Sequence, residues 1–219
     1  MPGVQWHEPQ AAGSANESAA SSNERLPSES VPNAKRHERF YLNTRSVEFV
    51  LDDDTLYRVF RRSFEAHSPV FAEKYLSGNE GLCNEPIKLT GASRIDFDRL
   101  LSLMYPDELA TCPLTTPAEW ISVLRLTTRW SFVALRKRAV EEVGRIGSAI
   151  DKMCAAREFG TSLRANGDIH DEIDKILQSW LLPAFTEICT APASALSDED
   201  AERLGLKTFA SVVRIRERM

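Results

Sequence analysis

The chain reads as an α+β protein, a small sheet flanked by helices and followed by an all-helical extension. Three observations predict this. Val47, Phe49 and Leu51 alternate before the acidic run "DDD", and Thr55, Tyr57 and Val59 alternate after it, which is the pattern of a β-hairpin. Phe97, Leu100, Leu101 and Met104 recur at i, i+3, i+4 and i+7, the stripe of an amphipathic helix. From residue 146 onward only helical stripes follow: Ile146, Ile150, Met153 and Cys154, then Ile169, Ile173, Ile176, Leu177 and Trp180.

The elements come in a definite order. Residues 9–37 are dominated by Ala, Ser, Asn, Glu and Pro, with Leu26 and Val31 the only large aliphatics. Such a stretch buries too little to offset its ordering entropy, so residues 1–38 are expected to be a disordered tail. The hairpin at 46–60 comes next, its aspartates read as turn formers because they lack the spaced pattern of a calcium loop. Ser68-Pro69 reads as a helix cap with proline at the first position. "PIKLTG" is a third strand ended by glycine. The helix carrying Phe97 stops at Pro106. Thr116-Pro117 with Glu119 opens another helix, with Trp120, Val123, Leu124 and Thr127 on one face. Ser131 is expected to cap the next, which carries Phe132, Leu135, Ala139 and Val143. Pro183 interrupts the run after Leu182. "SDED" from Ser197 is a capping box with Asp200 at N3, and Gly205 is the expected stop. The last helix is expected to bury Leu206, Phe209, Val212 and Val213.

Bulk composition limits what this fold can do. The 219 residues suit one medium domain or two small ones, and hydrophobic residues make up 42%. A net charge of −5 gives no overall pull toward nucleic acid or anionic lipid. No apolar run approaches a membrane span, and "MPGVQWHEPQ" lacks the order of a signal peptide. Cys83, Cys112, Cys154 and Cys189 are scattered, without a CxxC pair. They suit a reducing compartment, and an intracellular place in cytoplasm or nucleus is expected.

Candidate chemistry is sparse. His67 beside Ser68 invites a nucleophilic reading, but chain neighbours on a turn seldom point at one another, and no G-x-S-x-G elbow is present. The cap role for Ser68 is preferred. "GDIHDEID", 167–174, brings His170 and Asp174 four residues apart, but a solvated helix start explains it better than a metal site. Arg214, Arg216 and Arg218 end the chain in a basic cluster that suits a solvated helix C-terminus. Gly144 and Gly147 match no nucleotide-binding pattern. No catalytic residue, cofactor or metal is expected.

The order of these motifs resembles the BTB/POZ domain, whose signature is H-K-x-x-L-x-x-x-S-x-x-F. In "FRRSFEAHSPVF" Arg61 stands at the basic position, Phe64 at the leucine, Ser68 at the serine and Phe71 at the phenylalanine, with Phe60 in place of the histidine. "SVEFVLDDDTLYRV" is similar to the family's hairpin, with Ser46 where many homodimers carry aspartate. "PIKLTGASRIDFDRLLSLMYP" and "WISVLRLTTRWSFVALRKRAVEEV" are similar to its strand–helix segment and closing helix pair. The likeness covers residues 39–143. The region 144–219 resembles the helical extension of short BTB proteins from mushroom-forming fungi, with 161–178 as extra length.

The resemblance implies a non-enzymatic protein–protein interaction module that self-associates as a homodimer or serves as an adaptor, with a cullin-type ubiquitin ligase scaffold among its partners. Phe40, Tyr41, Phe60, Leu82 and Glu85 are the candidate interaction residues. Leu82 and Glu85 stand one residue further apart than the apolar-x-Glu motif of cullin-binding relatives. Protein partners are expected, but no membrane and no direct nucleic acid. Two other classes compete: a transcriptional or nucleic-acid-associated regulator acting through protein contacts, and a hydrolase or metalloprotein without a recognised motif.

Overall fold

The computed structural model of the chain describes residues 45–78, 85–106, 111–160, 171–192 and 196–218. The hairpin forms as β1 (Ser46–Leu51) and β2 (Leu56–Phe60), paired antiparallel with Ser46 opposite Phe60 and Val50 opposite Leu56. The aspartates make the turn. Asp54 takes a left-handed φ of 61°, and the Thr55 N–H donates to Asp53 Oδ1 at 3.1 Å. The hydrogen bonds from Thr55 hold the Asp53 carboxyl below the usual carboxylate range. β3 (Ile87–Leu89) adds parallel to β1, giving the order β2-β1-β3. Gly91 follows it at φ 67°, with the Arg129 guanidinium so close that a Cβ there would meet Nη1 at 2.8 Å.

Period two decides which face is buried. Val47, Phe49 and Leu51 are fully buried, while Leu56 and Phe60 on β2 are exposed. Helix α1 (Arg61–His67) leads to a π-helical turn, Phe71–Tyr75. Then come α2 (Arg94–Met104), α3 (Pro117–Arg129) and α4 (Val133–Ile146). These elements enclose an aromatic cluster. Phe71 lies at its hub, with ring centroids 4.8 Å from Phe64, 5.2 Å from Trp130, 5.4 Å from Phe49 and 5.7 Å from Phe132. Tyr57 joins β2 to α2 by donating to Asp98 at 2.6 Å. Burial and that bond push its hydroxyl up to about 12.

Ser68 has the structural role expected of it. Its Oγ accepts from the Phe71 N–H at 3.0 Å and donates to the Trp130 carbonyl at 2.5 Å. It thereby caps one helical turn and ties it to the end of α3. Ser68→Ala is expected to cost about 2 kcal/mol, because the cap is lost and a buried carbonyl is left without its donor. A lowered urea midpoint at unchanged slope checks this.

Ser131 does not cap α4 as expected. Its φ is 54°, the N-cap of α4 is Phe132, and no side-chain cap bond forms there. Instead Ser131 closes α3, donating its N–H to Thr128 O at 3.4 Å while Phe132 N–H reaches Thr127 O at 2.9 Å. This is the Schellman arrangement. The chain turns back sharply there, and Trp130 and Phe132 on either side are both buried. The Thr116–Glu119 capping box forms as expected, and the two backbone N–H bonds from Thr116 and Thr115 lower the Glu119 carboxyl.

The helical run continues as α5 (Ala149–Phe159), α6 (Asp171–Ser179), α7 (Leu181–Thr190), α8 (Asp198–Leu204) and α9 (Leu206–Arg216). Pro183 falls in the first turn of α7, where it is tolerated, so the break lies at Trp180 instead. The Ser197–Asp200 capping box is present, and Gly205 joins α8 to α9 at φ 77°.

Two apolar clusters form, and α5 belongs to both. Ala155, Ala156 and Phe159 pack into the sheet and α3–α4 cluster, as do Ile173 and Leu177 of α6. Ala149, Ile150 and Met153 face a second cluster with Ala184, Ile188, Cys189, Leu204 and Val212. Residue 143, where the sequence places the end of the first domain, lies within α4.

Arg136 of α4 sits fully buried where these parts meet. Its Nε donates to Thr128 Oγ1 at 3.1 Å, and Nη2 donates to Phe159 O at 3.3 Å and Asp174 Oδ1 at 2.7 Å. Nη1 is buried without a partner.

Candidate functional site

The hairpin and α1 build a surface with exposed apolar residues and two recesses. Phe60 ends β2 and precedes α1, so its side chain leaves the outward face of the sheet and stays 52% exposed. Its ring lies 6.0 Å from that of Tyr105. Ser46, Arg58, Val59, Phe60 and Tyr105 line a recess of about 280 Å³. The outward face also carries Leu56, 54% exposed. Between Leu56 and Phe60, Arg58 pairs with Glu48 at 2.5 Å.

A second recess, of about 250 Å³, opens further along α1. Ser63 and His67 stand three and seven residues beyond Phe60, on the same flank of the helix. They face Leu103 and Met104 of α2 and Phe132, Ala134 and Leu135 at the start of α4. Apart from Ser63 and His67 this lining is apolar, and it contains no carboxylate that could orient the imidazole. The adjoining Ser68 is buried, with its hydroxyl occupied by Phe71 and Trp130. The flank suits the burial of apolar side chains more than bond chemistry.

Arg61, at the basic position of the signature, is 8% exposed and points the other way. Its Nε bonds Glu65 at 2.5 Å, and Nη2 donates to the carbonyls of Leu76 and Gly78. It holds the chain leaving the π-helical turn against α1, which keeps α1 and its exposed flank in place.

Of the candidate interaction residues, Phe60 lies at this surface, and Glu85 is exposed just ahead of β3. Phe40, Tyr41 and Leu82 lie outside the described residues, as does His170. Asp174, four residues from His170 in the sequence reading, meets Arg136. Sequence reasoning missed Tyr105, Met104 and Leu135 as parts of the surface. Tyr105 could have been noticed as an aromatic just before the helix-ending proline. Among the described residues no group of three or more His, Cys, Asp or Glu could hold a metal ion. Nor, among them, is any helix long and apolar enough to cross a membrane.

No protein-family model matches the chain, and no curated protein matches it.

Proposed function

We propose that the chain is a protein–protein interaction module of the BTB/POZ kind, using the flank that runs from Phe60 to His67 for self-association. The observation that carries this is Phe60 itself. A phenylalanine held half exposed on an outward sheet face, beside two apolar-lined recesses, has the form of an interface anchor. The Arg58–Glu48 pair on the same face supplies the polar rim that docking surfaces carry. The order of sheet and helices also supports the reading, since it follows the motifs that resemble the family.

Size-exclusion chromatography with light scattering tests this on the full chain. The wild type is expected to run as a dimer, and Phe60→Glu as a monomer with an unchanged melting temperature, because the substituted side chain is already at the surface. A wild type that stays monomeric at every concentration, and recovers the same cellular proteins as Phe60→Glu on affinity purification, overturns the proposal.

A further inference from the structure

The last helix does not bury the face its sequence offers. Of the four residues expected inside, only Val212 is buried. Leu206 is 83% exposed and Val213 36% exposed, and Phe209 is half-buried. Leu206, Phe209, Ala210 and Val213 fall at i, i+3, i+4 and i+7, so they make one continuous stripe. Ala210 in its middle leaves room for a close approach.

Beside that stripe runs a basic one. Lys207 and Arg214 of α9 fall at i and i+7, Arg218 lies in the turn just past the helix, and all are exposed. None has a carboxylate partner among the described residues. Some exposed arginines elsewhere are paired, Arg58 with Glu48, Arg94 with Asp98, Arg125 with Glu158 and Arg145 with Glu142, whereas Arg62 and Arg138, like the α9 cations, have no carboxylate partner among the described residues. The neighbouring Arg216 is not solvated with them. It folds back to donate to the Ile188 carbonyl, its Nε at 3.2 Å, and anchors α9 on α7. Lys207, Arg214 and Arg218 thus give the apolar stripe a basic flank, in a chain whose net charge is −5.

We propose that α9 is a second docking surface, separate from the α1 flank, and that it takes an acidic amphipathic helix of a partner protein. Apolar residues of that helix cover Leu206 and Val213, and its carboxylates meet Lys207, Arg214 and Arg218. A flat anionic bilayer fits less well. The chain's net charge of −5 gives a bilayer no attraction beyond the stripe itself, whereas a single helix needs only the stripe. An antiparallel second copy fits less well too, because the two basic stripes would then lie side by side.

The test uses the full chain and a fluorescein-labelled synthetic peptide, with leucines at helical spacing and glutamates along one flank. The same peptide with lysine for glutamate is the control. The glutamate peptide is expected to raise the anisotropy, and the lysine peptide is not. Leu206→Ser should weaken binding about tenfold. The pair Lys207→Glu with Arg214→Glu should lose the glutamate peptide and gain the lysine peptide. Four outcomes overturn the proposal: no binding of the glutamate peptide, equal binding of both peptides, sedimentation with phosphatidylserine vesicles that Leu206→Ser abolishes, or a dimer that Leu206→Ser dissolves. Phe60→Glu should leave peptide binding unchanged, so a failure of the self-association reading is told apart from a failure of this one.

Discussion

Replacing Phe71 with alanine is expected to cost about 4 kcal/mol, enough to unfold a large fraction of a marginally stable chain. Phe71 is fully buried and its ring meets Phe49 of the sheet, Phe64 of α1, Trp130 at the end of α3 and Phe132 at the start of α4. Truncation would remove all four contacts at once and leave a cavity bounded by rigid rings, which cannot collapse well. Phe71→Leu keeps most of the volume and should cost under about 1.5 kcal/mol. Urea denaturation of both variants measures the difference. Equal destabilisation by the two would show that the ring contacts are not what holds this region together.

Asp174→Ala should be nearly as damaging, at about 3 kcal/mol, although Asp174 lies at the edge of the core. The reason is its partner. Arg136 is fully buried, and among the described residues its carboxylate partner is Asp174 at 2.7 Å. Removing the carboxylate leaves a guanidinium inside the protein with Thr128 Oγ1 and the Phe159 carbonyl as its remaining acceptors. Arg136→Met keeps the stem and removes the charge, and Asp174 is exposed enough to be solvated alone. The expected order is therefore Asp174→Ala worse than Arg136→Met, with the double variant more stable than Asp174→Ala alone. A double-mutant cycle by thermal or urea unfolding checks the order. Additive effects would mean that the pair is not coupled.

Elements governed by local chemistry were legible from the sequence. The hairpin follows from alternation around Asp52–Asp54, and the Thr116 and Ser197 caps follow from short-range patterns that satisfy helix-end donors. What was not legible depends on distant partners. Ser131 looked like a cap because serine before an apolar run usually is one. Its left-handed turn is instead tied to the reversal between α3 and α4, which the local pattern does not register. Arg136 sits in "LRKRAV" among charges that suggest a solvated face, and only α5 and α6 arriving from further along the chain enclose it. The amphipathic stripe of α9 was visible, but its periodicity does not say whether the cover comes from the same chain. For the candidate surface, Phe60 could be singled out because it replaces an expected histidine, whereas Tyr105, Met104 and Leu135 join it through tertiary packing alone.

The sharing of α5 between two apolar clusters bears on how such a chain could be recombined. A break after α4 would separate Phe159, Ile173 and Leu177 from the aromatic core they help to close. The same break would leave Ile150 and Met153 with α7 and α9. The front fragment would lose part of its interior, and the back fragment would keep its own cluster but bare Phe159, Ile173 and Leu177. Transplanting the front half onto another tail would require the new tail to supply matching apolar groups and a counter-ion for Arg136. The helical region is thus better regarded as a keystone of one inheritable unit than as an interchangeable attachment.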